Sequence, residues 1–346
     1  MKPEFILQQD VSLESLNSFG IKANAHRFLR IDNLTQLQAL RAHIVADVEL
    51  ATLPRLVLGG GSNVILSDHL PHLVIQMAIM GRELVGETSD HFIVRSGAGE
   101  NWHAFVQWTL EQGYGGLENL SLIPGTVGAS PIQNIGAYGL EIQDCFHSLT
   151  AFDFVTGELK TFQKQECDFG YRDSIFKSGE QNRFVIVDVC FALPKQWLPR
   201  LNYGDVAKYL LERDITAPTP IDVSNAIIAI RQSKLPDPAV IGNAGSFFKN
   251  PVVSAELRNQ IFQHHPNCVS YPQTSGEFKL AAGWLIEQCG WKGRRCETVG
   301  VYQKQALVLV NLGGATGAEV RALAQDIQAD VFEKFGVELE VEPVFV

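Results

Sequence analysis

None of the six cysteines, at positions 145, 167, 190, 268, 289 and 296, falls in a CxxC pair, and none of the nine histidines in an HxxxH or HExxH spacing. Nothing in these spacings marks a zinc site or a disulfide framework, so neither is expected, and cysteines in apolar runs such as Val185–Cys190 read as buried thiols. The His264-His265 pair sits beside Pro266 and reads as a solvated loop. Positive charge is short: 28 Lys and Arg stand against 38 Asp and Glu, for a net charge of −10 and a pI near 5.4. A nonspecific grip on nucleic acid or an anionic membrane needs a basic face, which this balance argues against. An anionic ligand remains open to the chain, because local cations and backbone N–H groups can hold one. No run of about 18 apolar residues occurs, and the opening MKPEFILQQD lacks a signal-peptide core, so a cytoplasmic protein is expected.

What the chain has is apolar material, 46% of 346 residues, enough for two or three packed units rather than one. From Arg27 to about Leu193 the apolar runs are short, β-branched and separated by turns: Leu56–Leu58, Val64–Leu66, Leu73–Met77, Phe92–Val94 and Phe184–Val189. Helical spacing interrupts them at Leu34–His43 and from Trp102 to Gly113, where the glycine suits a helix C′ position. Further helices are expected at Asp205–Arg213, at Ser224–Lys234 with Pro236 as its stop, and at Ala281–Cys289. A buried strand is expected at Ala306–Asn311. A last amphipathic helix puts Val320, Leu323, Ile327, Val331 and Phe335 on one face before a strand over Val337–Val346. The pattern is α+β, with strands outnumbering helices.

Two glycine-rich segments bear on ligands. Leu56-Val-Leu-Gly-Gly-Gly-Ser-Asn63 runs a strand into consecutive glycines, which suits either a tight hairpin or a nest of N–H groups converging on a diphosphate. A Rossmann fingerprint is excluded, since a strand pattern follows where a helix is required. Pro124–Pro131, followed by Gln133-Asn134-Ile-Gly-Ala-Tyr-Gly139, belongs to a stretch with seven glycines between 113 and 139. Such a stretch is a knot of turns or a surface kept bare for a planar cofactor, with Gln133 and Asn134 able to address a polar ring edge. At Gly242–Pro251, Gly242 and Gly245 allow close approach or positive φ, Phe247 and Phe248 can anchor the turn, and Ser246 is left as the polar atom facing a cleft. A Gly-Ser turn is also ordinary loop material.

Residues 119–139 (NLSLIPGTVGASPIQNIGAYG), Tyr171-Arg-Asp-Ser174, Lys234-Leu-Pro-Asp-Pro238 and the decapeptide around Ser246 together resemble the UDP-N-acetylenolpyruvoylglucosamine reductase family from about Asn17 to the C-terminal strand. The resemblance implies an oxidoreductase of peptidoglycan precursor synthesis, serving cell wall biogenesis, shape and division. Its fold would be of the vanillyl-alcohol-oxidase (PCMH) FAD-binding type with a smaller α+β substrate domain. The implied layout is an FAD region at 23–194, a tyrosine loop with connecting helices at 195–232, a substrate domain at 233–322 that closes over its ligand, and a helix and strand at 323–346 returning to the core. FAD would be held noncovalently: Gly59, Gly60, Gly61, Ser62 and Asn63 at the diphosphate, and Gly125, Thr126, Gly128, Ala129, Ser130, Gln133, Asn134, Gly136, Ala137 and Tyr138 along the isoalloxazine. The Asn17–Gly20 turn also matches, though a plain strand entry serves it better.

In the implied reaction NADPH reduces FAD and leaves, and the reduced flavin delivers hydride to the β-carbon of the enolpyruvyl group of UDP-N-acetyl-3-O-(1-carboxyvinyl)-glucosamine, giving UDP-N-acetylmuramate. Arg172 would meet the carboxylate or the flavin edge and Ser246 would donate the proton, helped by Lys249 or Asn250. An Arg beside an Asp, as here, is by itself an ordinary ion pair. The carboxylate partner would be Glu342, by a Leu-x-x-Glu pattern. Glu338, Glu340 and Glu342 share a face at period two, and a proline follows Glu342 where an aliphatic residue is usual, so Glu340 stays a second candidate. Arg231 and Lys234 would meet the sugar nucleotide's diphosphate, although a helix C-terminus favours cations anyway. Tyr203 matches the mobile tyrosine of the family's longer form, and Asn250, Tyr271 and Gln305 are further substrate carry-overs. A monomer without metal is expected. Two rivals remain: a sugar or alcohol oxidase on the same flavin fold, disfavoured by the lack of His or Cys in the glycine segments for covalent flavin, and a noncatalytic nucleotide-sugar binder.

Overall fold

Trp102–Glu111 shows how the elements form: Asn101 accepts from the Ala104 N–H as N-cap, Trp102, Phe105, Val106 and Leu110 bury one stripe, and Gly113 at φ +81° ends the helix. The computed structural model describes residues 5–179 and 183–346. They divide into two compact units, one of residues up to 11, 25–60 and 71–233, the other of 12–24, 61–70 and 234–346.

The first unit is built on a five-stranded antiparallel sheet ordered Leu159–Gln163, Phe146–Asp153, Phe184–Pro194, His91–Gly97, Arg82–Glu87. Phe184–Pro194 alternates buried and half-buried residues along its second half because one face packs on the aromatic cluster of Trp102, Phe105 and Phe191. A four-stranded sheet orders Gln8–Ser12, Asn24–Ile31, His69–Met77 and Arg55–Leu58, the last pair parallel. Leu37, Leu40 and Ile44 of the helix Leu34–Ala46 share a core with its Leu29, Ile31, Leu73 and Ile75. The helices Gly204–Leu211 and Pro220–Lys234 pack on each other through Val206, Leu210, Val223 and Ile227.

In the second unit the helix Gly317–Phe335 starts on a reciprocal capping box between Thr316 and Glu319 and stops at Gly336, φ +66°. All five apolar residues expected on its inner face are buried. Two small antiparallel sheets accompany it, Val252–Val253 with Phe278–Leu280 and Ser270–Pro272, and Arg295–Cys296 with Val299–Val301 and Leu309–Asn311.

Three expectations are corrected. Gly59–Asn63 is no hairpin, because Arg55–Leu58 pairs with His69–Met77 while Val64–Ile65 runs parallel to Val344–Phe345. The tail is a strand only over Val344–Phe345; before it, the chain is extended and touches Phe248 through a single bridge at Val341. His265 is no solvated loop residue: its ring packs edge-on against Trp284 and Phe335 at 5.9 and 5.2 Å. All six cysteines are free thiols, and burial pushes Cys145 and Cys167 up to about 12. Among the described residues no helix is long and apolar enough to cross a membrane, and no His, Cys, Asp and Glu cluster can hold a metal.

Candidate functional site

In the first unit the two glycine segments lie directly against each other. A Cβ on Gly60 would sit 2.9 Å from the Gly125 Cα, and one on Gly59 would collide with the Thr126 hydroxyl and touch the Ala129 methyl at 3.4 Å. Gly128 likewise has no room, its Cβ reaching the Ala98 backbone at 2.9 Å. The Thr126 hydroxyl is buried at this contact with no hydrogen-bond partner in the protein. The glycines here are required by the close approach of the two segments, and a buried donor left without a protein partner is a group that an anionic cofactor can satisfy, so the residues present fit FAD. Gly61, Ser62 and Asn63 belong to the second unit. Gly61, φ +58°, has its Cβ direction filled by the Leu16 carbonyl, and its own carbonyl accepts from the Ser18 N–H at 3.0 Å. Asn17 closes that turn by bonding Leu13 and Ile21, a structural role.

The rest of the second glycine segment is more constrained than its sequence suggests. Asn134 is fully buried at φ +45°: its amide nitrogen donates to Glu141 Oε2 at 3.0 Å and to the Gly170 carbonyl at 2.9 Å, and its oxygen accepts from the Gln143 N–H at 3.1 Å. Both donors of this amide are therefore engaged internally, and only its oxygen keeps acceptor capacity for a ring edge. Gln133 accepts from Lys177 Nζ at 3.5 Å, and the Ser130 hydroxyl donates to the Val127 carbonyl at 2.6 Å. Gly136 and Ala137 pair with Leu140 and Glu141 in a two-residue hairpin arm.

Arg172 stands over that arm. Its backbone is left-handed at φ +58°, Nη2 donates to the Gly136 carbonyl at 2.6 Å, Nη1 lies 3.8 Å from Glu141 Oε1, and Tyr171 packs beneath the guanidinium at 5.2 Å. Strain of this kind in a non-glycine residue persists only where neighbours enforce it. Tyr138 meets Tyr203 edge-on at 5.3 Å, and Asn119, absent from the residues picked out by sequence, donates to the carbonyls of Tyr138 and Arg200 at 2.9 and 3.0 Å. Arg231 has its Nε buried without a partner, and burial lowers its pKa. His103 beside it is lowered too, by burial first and then by Arg231, and its Nδ1 accepts from the Leu122 N–H at 3.0 Å, which fixes the neutral ring's proton on Nε2.

The second unit holds Ser246 and Glu342. Gly245 takes φ +72°, Phe247 and Phe248 are buried to 0% and 1% exposure, and Ser246 is left exposed, as the residues led one to expect. The tail runs alongside: the Glu342 N–H donates to the Phe247 carbonyl at 2.9 Å, the Lys249 N–H donates to the Glu340 carbonyl at 2.9 Å, and Asn63 Nδ2 donates to the Glu342 carbonyl at 3.3 Å. The Ser246 turn and the tail are thus paired through Phe247, one residue past the serine, which bonds Glu342 along the backbone. Lys249, a candidate helper for Ser246, commits its ammonium to Glu340 at 2.5 Å. Asn250 accepts from the Ala282 N–H at 3.0 Å, Gln305 accepts from the Leu307 N–H at 3.3 Å, and Tyr271 is half exposed on the strand Ser270–Pro272. Lys234 is exposed at its helix end.

Residues 38–163 of this α+β frame, which include the glycine segments in contact around the orphaned hydroxyl, match the FAD binding domain family, and the chain is an FAD-dependent oxidoreductase. Residues 237–346 match the C-terminal domain of UDP-N-acetylenolpyruvoylglucosamine reductase. The reductase of that name from Burkholderia orbicola (strain MC0-3) is 56% identical over 98% of this chain and 96% of its own length, and that of Burkholderia multivorans (strain ATCC 17616 / 249) is 55% identical over the same shares. The crystal structure of the Thermus caldophilus enzyme shares the fold, with a TM-score of 0.68 at 22% identity over 99% of both chains. The chain belongs to the UDP-N-acetylenolpyruvoylglucosamine reductase family.

Proposed function

We propose that the protein reduces UDP-N-acetyl-3-O-(1-carboxyvinyl)-glucosamine to UDP-N-acetylmuramate, with NADPH as the source of electrons. FAD, when bound, carries the two electrons between reductant and enol ether. Adding hydride to the terminal carbon of the enolpyruvyl group leaves charge on the neighbouring carbon and its carboxylate, so this chain must supply a cation and an acid there. Arg172 orients the carboxylate with its planar fork, and the Ser246 hydroxyl gives its proton to the carbon bearing the ether oxygen. Glu342 serves as the carboxylate partner of the acid. Arg231, Lys234 and Tyr203 hold the nucleotide sugar, with Asn250, Tyr271 and Gln305 as further contacts, and residues 23–194 and 233–322 form the cofactor and substrate regions. The observation that supports this reading best is the turn at Gly245: it buries two phenylalanines, presents Ser246 to solvent, and is paired along its backbone with Glu342. NADPH and UDP-sugars are solutes of the cytoplasm, and a cytoplasmic setting follows from the reading.

Anaerobic mixing tests it. NADPH should bleach the flavin absorbance and the enol ether should restore it. Ser246→Ala should still bleach, while recovery slows by roughly 10² to 10⁴, the range usual for general acid catalysis. Bleaching without recovery in the native protein would return the substrate to the oxidase reading, and undiminished recovery in the variant would remove Ser246 as the acid.

A further inference from the structure

Glu141 was not among the residues the sequence picked out, yet three polar side chains of the first unit converge on it. Its Oε2 accepts from Gln143 Nε2 at 2.6 Å and from Asn134 Nδ2 at 3.0 Å, and its Oε1 faces Arg172 Nη1 at 3.8 Å. Gly136 lies between them: a Cβ there would meet Glu141 Cγ at 2.8 Å and Arg172 Nη1 at 3.0 Å. The carboxylate is therefore held rigid by two amides, and the amide of Asn134 is anchored in turn by the Gly170 carbonyl and the Gln143 N–H. The Arg172 and Glu141 side chains are only 17% and 30% exposed, so solvent screens their attraction weakly. At 3.8 Å the pair attracts without a hydrogen bond, while Nη2 is pinned on the Gly136 carbonyl at 2.6 Å.

We propose that Glu141 is a positioning residue that sets the direction of the Arg172 guanidinium, and so the affinity for the carboxylate of the enol ether. This rests on the reading above that Arg172 addresses that carboxylate. A fixed anion on one edge of a planar fork restricts its rotation and keeps the opposite edge aligned, and the left-handed backbone of Arg172 adds to the same constraint. Glutamine at 141 has one carbonyl oxygen, which cannot accept from both amides and also attract the guanidinium.

The test is calorimetric titration of the oxidised, FAD-loaded protein, without reductant, using two ligands: the enol ether, and UDP-N-acetylglucosamine, which lacks the carboxylate. Glu141→Gln should weaken the enol ether by roughly 10- to 100-fold, the scale of losing a hydrogen bond to a charged group, and leave UDP-N-acetylglucosamine unchanged. Arg172→Ala should also weaken only the enol ether, and adding Glu141→Gln to it should cost nothing further. If Arg172→Ala leaves the enol ether affinity intact, the Arg172 reading itself fails. If Arg172→Ala weakens it but Glu141→Gln does not, tightens it, affects both ligands alike, adds in full to the Arg172 variant, or sheds FAD, then Glu141 does not act through Arg172 and the proposal is overturned.

Discussion

Gly60→Ala is the sharpest test of where the cofactor sits. The new methyl carbon would lie 2.9 Å from the Gly125 Cα, 3.3 Å from its carbonyl carbon and 3.6 Å from its nitrogen. Nonbonded carbons need about 3.5 Å, so the two segments must part by roughly 0.6 Å. Neither side yields easily, because both contacts are backbone and Gly125 already sits at φ +115°. Overpacking of this kind costs about 1–3 kcal/mol. If the strain falls on the cofactor-bound form, the dissociation constant for FAD rises roughly 5- to 150-fold; if it falls on both forms, the melting temperature of the apoprotein drops instead. Ultrafiltration of the yellow protein and thermal melts of the apoprotein separate the two. Gly86→Ala is the control, on the strand Arg82–Glu87 with nothing within 4 Å of the added carbon. Unchanged FAD affinity and unchanged melting in the Gly60 variant would refute the argument that these segments form the cradle.

Thr126→Val keeps the shape of the side chain and removes a hydroxyl that has no partner in the protein. Apoprotein stability should hold or rise, while FAD binding weakens by about tenfold or more if the hydroxyl meets a charged oxygen; equal affinity would detach Thr126 from the cofactor. Glu319 is held below the ordinary glutamate range, first by the Thr316 N–H and then by its hydroxyl. Its folded pKa lies below its unfolded one, so its contribution is present above the unfolded value and is lost as pH falls. The gap in urea midpoint between native protein and Glu319→Gln should then close on going from neutral pH to below about 4, and a gap independent of pH would contradict the capping box.

Local features of this chain were legible and distant pairings were not. The spacing of Val320, Leu323, Ile327, Val331 and Phe335 declares a buried helical face, and Gly245-Ser-Phe-Phe declares which residue turns outward, because each pattern is read within a few residues. The hairpin expected at Gly59–Asn63 failed because the partner of Val64 is Val344, on the far side of the chain in sequence. The packing of His265 is hidden for the same reason, since Trp284 and Phe335 are distant in sequence. Glu141 shows the limit at a candidate site. Asn134 and Gln143 are close in sequence, but Arg172 is brought to the same carboxylate only by the fold. Asn134 shows the reverse: its type suits a ring edge, and only its internal bonds show that both of its donors are engaged elsewhere.

The glutamates of the tail show how pairing decides what alternation cannot. At period two, Glu340 and Glu342 share a face and are equivalent. The tail, however, runs against the Ser246 turn, with Glu340 bonded to Lys249 and Glu342 bonded to Phe247, the residue after Ser246. Glu340 is then the glutamate that neutralises Lys249, with its side chain 69% exposed, whereas Glu342 is half-buried beside the serine's own segment. The Glu340 end of the pair is open to solvent while the Lys249 side chain is 14% exposed, so the pair is screened from one side and is worth about 1 kcal/mol; Glu340→Gln should then change the rate of flavin reoxidation by the enol ether by roughly fivefold at most. Glu342→Gln should slow the same step by about 10²-fold or more, as loss of a group supporting the acid does, with reduction by NADPH unaffected. Stopped-flow measurement of the two half-reactions reads both variants directly. A larger loss at Glu340, or equal losses at the two, would mean that the backbone pairing does not select the working carboxylate.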